Sequence, residues 1–130
     1  MHFHADQAAW GGTRTYPDWL RKIYRVRSLV GFGGVPCADA AMGLLELDPG
    51  TYPFHAHPAP EIYFVVSGQA EWTVGEDTFE AVPGTAIYHP PGARHQMVNR
   101  GPETLKTVWF WWAPEGRTEV LDVPSRLLVE

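Results

Sequence analysis

Four side chains with metal-ligand chemistry fall in two short stretches. "FHAHPAPEIYF" carries His55, His57 and Glu61, and "GARHQ" carries His95. Strand side chains alternate faces, so two histidines one residue apart in an extended run point to the same side. Burying two imidazoles together is costly unless something binds both. A metal ion does so, neutral imidazole being its commonest protein ligand. Glu61 lies beyond the Pro58-Ala59-Pro60 turn, where a hairpin return would bring its carboxylate back beside the imidazoles. His95 follows a proline-rich turn. Three imidazoles and a carboxylate suit one divalent transition metal with two open positions, and Fe, Mn, Ni, Co, Zn and Cu all accept such a set. If Glu61 faces inward, Tyr63 does too, about 7 Å further along the strand.

These residues need strands to hold them, and the chain supplies many short ones. "AMGLLEL" ends at the turn signal "DPG"; "TYPFHAH" and "EIYFVVSG" follow. "QAEWTV" and "DTFEAV" flank Gly75-Glu76, a hairpin signal. "GTAIY", "RHQMVN" and "TLKTVWFWW" complete the series. Short runs at this spacing, with 13 Gly and 12 Pro between them, predict an all-β sandwich or barrel. "TVWFWW" is apolar on both parities, so both its faces need cover. Trp109, Trp111 and Trp112 then mark an interface with a second subunit, or else a strand inside one large core. The first reading predicts a homodimer. Residues 1–30 show no single period and read as an arm packing on the barrel or a partner subunit, leaving 31–130 as the domain.

In two ordered motifs the chain resembles the cupin superfamily. Gly50, four residues, His55-Ala56-His57, three residues, Glu61, six residues and Gly68 follow the first motif, one residue short after the first glycine. Gly84, Pro90, Gly92, His95 and Asn99 follow the second without a gap. The resemblance implies a jelly-roll barrel of two antiparallel sheets, with His55, His57, Glu61 and His95 around one metal. Asn99 reads as a turn or backbone-bonding residue. The four motif glycines read as turn positions.

A narrower resemblance, carried by "HAHPAPEIYFVVSG", "PGARHQMVNRGPETL" and Tyr16-Pro17, is to the small cupin lyases that cleave dimethylsulfoniopropionate. It implies Tyr63 as general base and a metal-bound substrate carboxylate. Tyr88 and Trp72 are then expected at the cavity wall as substrate-binding residues. Tyr52 ranks below Tyr88, because parity turns it away from His55. His89 is expected as a turn residue at the rim, and His2 and His4 as parts of a frayed end.

Three other functions compete with the lyase: an Fe(II) or Mn(II) dioxygenase, a non-catalytic sugar- or effector-binding cupin, and a cupin isomerase. All take a small-molecule ligand. The net charge of -5 argues against nucleic acid and anionic membrane as partners. No apolar run reaches the length of a membrane span, and "MHFHADQAAW" has no signal-peptide pattern. Cys37 is the only cysteine, so no internal disulfide forms and a cytoplasmic location is expected.

Overall fold

Burial alternates along the central strands, and that alternation builds two layers. In β4 (Glu61–Ser67), Glu61, Tyr63 and Val65 are buried while Ile62, Phe64 and Val66 are exposed. In β9 (Leu105–Trp112), Leu105, Thr107, Trp109 and Trp111 point inward and the residues between them outward. The two-sided apolar run of the sequence is therefore divided: Trp109 and Trp111 belong to the interior, Phe110 and Trp112 to the outer surface. The computed structural model describes residues 1–128.

The other strands are β1 (Tyr24–Val30), β2 (Ala40–Leu47), β3 (Gly50–Ala56), β5 (Ala70–Val74), β6 (Asp77–Ala81), β7 (Ala86–His89), β8 (His95–Asn99) and β10 (Arg126–Leu127). They form two five-stranded sheets, in the orders β1-β2-β9-β4-β7 and β10-β3-β8-β5-β6. Every pairing is antiparallel. This is the expected jelly-roll barrel: inward residues of both layers make one core, with Leu47, Val65, Trp72, Met97 and Leu105 fully buried. β5 and β6 are the hairpin predicted at Gly75-Glu76.

Within residues 1–30, Asp18–Arg21 forms one turn of α-helix (α1), which buries Leu20. Tyr24–Val30 is β1, an edge strand of the first sheet. The mixed period over this stretch reflects a helix turn followed by a strand. Upstream, Gly11 pairs with Val26 through two backbone hydrogen bonds of 2.7 Å, and the Arg27 guanidinium stacks 4.0 Å from the Trp10 ring.

Two residues lock the connections. Gly68 takes φ +75°, and a Cβ there would sit 2.6 Å from the Thr104 carbonyl oxygen, so no other residue fits. Asn99 is buried, donates from Nδ2 to the Leu47 and Glu103 carbonyls at 2.9 Å, and accepts from the Gly101 N–H at 2.8 Å. It holds backbone, as its motif position implies.

Candidate metal centre

Register brings the motif residues together. His55 on β3 is the direct partner of His95 on β8, and their ring centroids are 4.0 Å apart. Glu61 does not reach them by a hairpin return. β3 and β4 lie in different sheets, so Pro58–Pro60 arches over the barrel end and Glu61 approaches from the opposite layer. His57 lies on that arch, and its carbonyl is held by the Gly92 N–H at 3.0 Å. Ligand atoms of His57, Glu61 and His95 lie within 4.8 Å of one another, and all three residues are buried. His55 stands outside this compact trio, its ring against that of His95.

Hydrogen bonds on the far side of each ring set the chemistry. Nδ1 of His55, His57 and His95 lies 2.7, 2.8 and 3.0 Å from the carbonyl oxygens of Pro53, Ala59 and Ala93. A carbonyl only accepts, so each Nδ1 carries a proton, and the nitrogen left to bind a metal is Nε2. His57 Nε2 faces Glu61 Oε1 at 3.0 Å. His95 Nε2 lies 3.5 Å from the same oxygen and has no hydrogen-bond partner although it is buried. Lone pairs aimed at a carboxylate repel unless a cation sits among them, and a backbone-tied Nδ1 is how metal-binding imidazoles are oriented. The donor set therefore fits a divalent metal.

Burial alone would raise the Glu61 pKa; positive charge at the His57 and His95 positions, which a bound cation would supply, outweighs it and holds the group well below the usual carboxylate range. Burial, then the charge of His95, pushes His55 well below the ordinary imidazole value. The second Glu61 oxygen, Oε2, accepts from the Trp111 indole N–H at 2.6 Å. Trp111 is the register partner of Glu61, and its ring stacks on His57 at 4.1 Å.

A cavity of about 900 Å³ opens beside this cluster, lined by Glu61, Tyr63, Tyr52, Tyr24, Trp109 and Trp111 among others. Tyr63 faces it from β4, as parity predicts. Burial and the neighbouring Glu61 carboxylate raise the pKa of its phenol. Trp72, also expected at the cavity wall, is fully buried and does not line the cavity; it donates its indole N–H to His89 Nε2 at 3.0 Å. Tyr88, expected at the cavity wall, stands on the outer surface, where it is 54% exposed. It follows Ile87 and precedes His89, both inward, so alternation turns it out.

Two expectations reverse. Tyr52 is buried, and its ring stacks on His55 at 3.7 Å and 3°. A register shift between Tyr52 and His55 inserts an extra residue, which cancels simple parity. Pro53 inside the strand was the available signal, because proline cannot donate to the ladder and marks bulges. His89 is not at the rim. It is the register partner of Glu61, is buried at 1% exposure, and has both ring nitrogens in contact, with Nδ1 3.3 Å from the Glu61 carbonyl. Burial, then His95, lowers its pKa to about 3. Its Nε2 is occupied by Trp72, which sets it apart from the three other imidazoles.

Sequence reading missed the tyrosines behind Tyr52. The hydroxyls of Tyr16 and Tyr52 lie 2.6 Å apart, and Tyr24 packs on both rings. Its hydroxyl takes the Thr13 N–H at 3.0 Å. These contacts join the N-terminal segment to His55 through one ring. His2 and His4 remain at the chain end, and His4 is exposed and caps a 3-10 turn.

A barrel of two antiparallel sheets with an inward cluster of this kind defines a cupin, and the Cupin domain family model matches residues 43–111. The chain belongs to that family. Among curated proteins it is similar to dimethylsulfoniopropionate lyase DddQ of Ruegeria pomeroyi, 34% identical over 87 residues, which are 65% of this chain and 43% of that protein. An uncharacterized Streptomyces coelicolor protein is 42% identical over 78 residues, covering 59% of this chain and 73% of that one. The crystal structure of the Ruegeria pomeroyi lyase superposes with a TM-score of 0.80 at 26% identity, over 95% of this chain and 62% of the other. The polyketide cyclase RemF of Streptomyces resistomycificus shares the fold, with a TM-score of 0.75 at 20% identity, over 100% of this chain and 86% of that one. The matched segment thus spans less than half the length of the curated lyase. No helix among the described residues is long and apolar enough to cross a membrane.

Proposed function

We propose that this cupin holds one divalent transition metal through His55, His57, Glu61 and His95 and cleaves a carbon–sulfur bond in a small carboxylate of the dimethylsulfoniopropionate type. The observation that carries the metal assignment is the convergence of buried Nε2 atoms on Glu61 while every Nδ1 is tied to a carbonyl. The lyase reading is supported by the likeness to the Ruegeria pomeroyi enzyme and by Tyr63, which lines the cavity two residues after Glu61.

When bound, the metal neutralises the substrate carboxylate and makes the adjacent carbon more acidic. The charge of the bound cation would offset the burial and the Glu61 carboxylate that otherwise keep the Tyr63 phenol protonated, and Tyr63 would then take the α-proton as phenolate. The released electron pair forms the carbon–carbon double bond, the β-carbon–sulfur bond breaks, and dimethyl sulfide leaves with acrylate as co-product. Trp111 keeps Glu61 turned toward the imidazoles, and the aromatic walls exclude water from the reacting carbon.

Anaerobic incubation of metal-loaded protein with dimethylsulfoniopropionate, with headspace sulfide measured, tests the reading. Turnover is expected without dioxygen, and Tyr63→Phe is expected to lower it by roughly 10²–10⁴ while metal content stays the same. Oxygen-dependent turnover, or a Tyr63→Phe variant as active as its parent, overturns the assignment. The cavity volume favours a second reading. About 900 Å³ lies near the top of the usual range for small-molecule sites, which suits a ligand larger than a five-carbon zwitterion, either bound without turnover or oxidised. Metal-loaded protein that is silent on the sulfonium substrate but takes up a larger carboxylate supports that reading.

A further inference from the structure

The two inward tryptophans of β9 differ in what their indole nitrogens meet. Trp111 donates to Glu61 Oε2. Trp109 sits one pleat further from the candidate metal centre and is only 5% exposed. Its Nε1 is buried and has no acceptor among the described residues, which costs about 1–3 kcal/mol for a buried donor. The same side chain lines the cavity, so a ligand that brings an acceptor removes that cost.

Register identifies what stands beside it. Trp109 pairs with Tyr63 on one side and Gly43 on the other, and Gly43 pairs in turn with Ser28. Ser28, Trp109 and Tyr63 all line the cavity, and Gly43 is buried between them. A Cβ at Gly43 would lie 2.7 Å from Trp109 Cζ2 and collide with the Arg27 carbonyl oxygen. The indole edge that carries both Cζ2 and Nε1 therefore lies over the glycine, on the side of Ser28. The Ser28 hydroxyl makes no hydrogen bond among the described residues. One inward row thus holds two free hydrogen-bonding groups, flanking a residue without a side chain and in line with Tyr63.

We propose that Trp109 Nε1 and Ser28 Oγ form a subsite for a carbonyl oxygen of a ligand whose carboxylate is held at the metal end. This inference rests on the second reading above, that the cavity takes a carboxylate larger than dimethylsulfoniopropionate. A few well-placed polar groups in an apolar cavity are what fix a ligand's orientation. The row lies two residues from that of Glu61 and Trp111, about 7 Å along the strands. An extended chain gains about 3.5 Å per three bonds, so the carbonyl oxygen lies about six bonds from the carboxylate. A dimethylsulfonium group accepts no hydrogen bond and would leave the indole N–H unpaired. A second carboxylate is also a poor match, because burying a charge against two neutral donors is costly. Arg14, the cationic side chain lining the cavity, follows Thr13, which is tied to the Tyr24 hydroxyl and not to this row.

Titration calorimetry of the full Zn(II)-loaded chain with 6-oxoheptanoate and with heptanoate tests this, because the two acids differ only in the ketone oxygen. The parent protein is expected to bind the oxo acid about 10-fold more tightly, the effect of giving one buried donor its acceptor. Trp109→Phe removes the N–H and is expected to bring the preference below about threefold. Ser28→Ala, at a half-buried position, is expected to lower it as well, and carries the test if Trp109→Phe fails to fold. In proton NMR spectra the Trp109 indole N–H signal is expected to move downfield with the oxo acid and to stay in place with heptanoate. A signal that neither acid moves, as for an N–H held by ordered water only, overturns the proposal. Equal affinity of the parent for both acids overturns it too, and leaves the larger-carboxylate reading standing. A preference for adipate over the oxo acid overturns the assignment of an uncharged carbonyl. Failure of both acids to bind the loaded protein overturns the larger-carboxylate reading and the subsite with it.

Discussion

Tyr52 joins the N-terminal segment to the candidate metal centre, and two substitutions separate what its hydroxyl and its ring do. Tyr52→Phe removes the 2.6 Å hydrogen bond to Tyr16 and keeps the ring over His55. The Tyr16 hydroxyl, on a residue only 4% exposed, then loses its partner, at a cost of about 1–3 kcal/mol. Tyr52→Leu removes the ring as well. It leaves a space between Tyr24 and His55 and forfeits the parallel stack at 3.7 Å, so the loss in unfolding free energy should reach about 3–5 kcal/mol. Urea unfolding measures both losses. Metal binding measures something different. With His55 still held by its Nδ1 bond to Pro53 and by the Phe ring, Tyr52→Phe should shift Zn(II) affinity by less than about threefold. Tyr52→Leu frees one face of the imidazole, and removing an orienting neighbour of a metal ligand typically costs 10–100-fold in affinity. Titration calorimetry with Zn(II) is the assay. If Tyr52→Leu binds Zn(II) as tightly as the parent while its stability falls, the stacked ring does not orient His55 and the reasoning fails.

Alkaline pH should destabilise the protein through the same tyrosines. Burial, partly offset by the Tyr52 hydrogen bond, raises Tyr16 from 10.0 to about 12. The neutral phenol is thus favoured by the fold, so its contribution is complete below pH 10 and is lost as the pH rises through about 12. A shift of this size corresponds to roughly 3 kcal/mol. Urea midpoints between pH 9 and 12 should fall accordingly, and Tyr16→Phe should flatten the decline. Asn99→Ala removes three hydrogen bonds to buried backbone and should lower unfolding free energy by about 2–4 kcal/mol; a loss under 0.5 kcal/mol by urea denaturation would contradict the locking role. His57→Ala should strip most of the metal found by elemental analysis, since Nε2 of His57 faces Glu61 directly; full metal content in that variant would remove His57 from the ligand set.

The candidate metal ligands were legible because their signal is local. His55, His57 and Glu61 lie within seven positions, and the turn glycines and prolines that frame them leave marks at fixed spacing. The all-β class was legible for a similar reason: strand alternation has period two, and turns punctuate it. Neighbours contributed by distant strands were not. Trp111 meets Glu61, and His89 meets both Glu61 and Trp72, only because β9 and β7 flank β4 in a particular register, and register is a property of pairing across the fold. Tyr52 shows how small the deciding event is, since a single inserted residue beside Pro53 turns its ring from the expected outer face onto His55. Alternation along "TVWFWW" established that the strand has two apolar faces; which face closes the barrel and which faces outward was decided by tertiary structure. Sequence pattern by itself determined which residues are candidates for the chemistry and which strands hold them. Tertiary structure decided what surrounds them, because a side chain's direction depends on every bulge before it and its neighbours on strands far away in the chain.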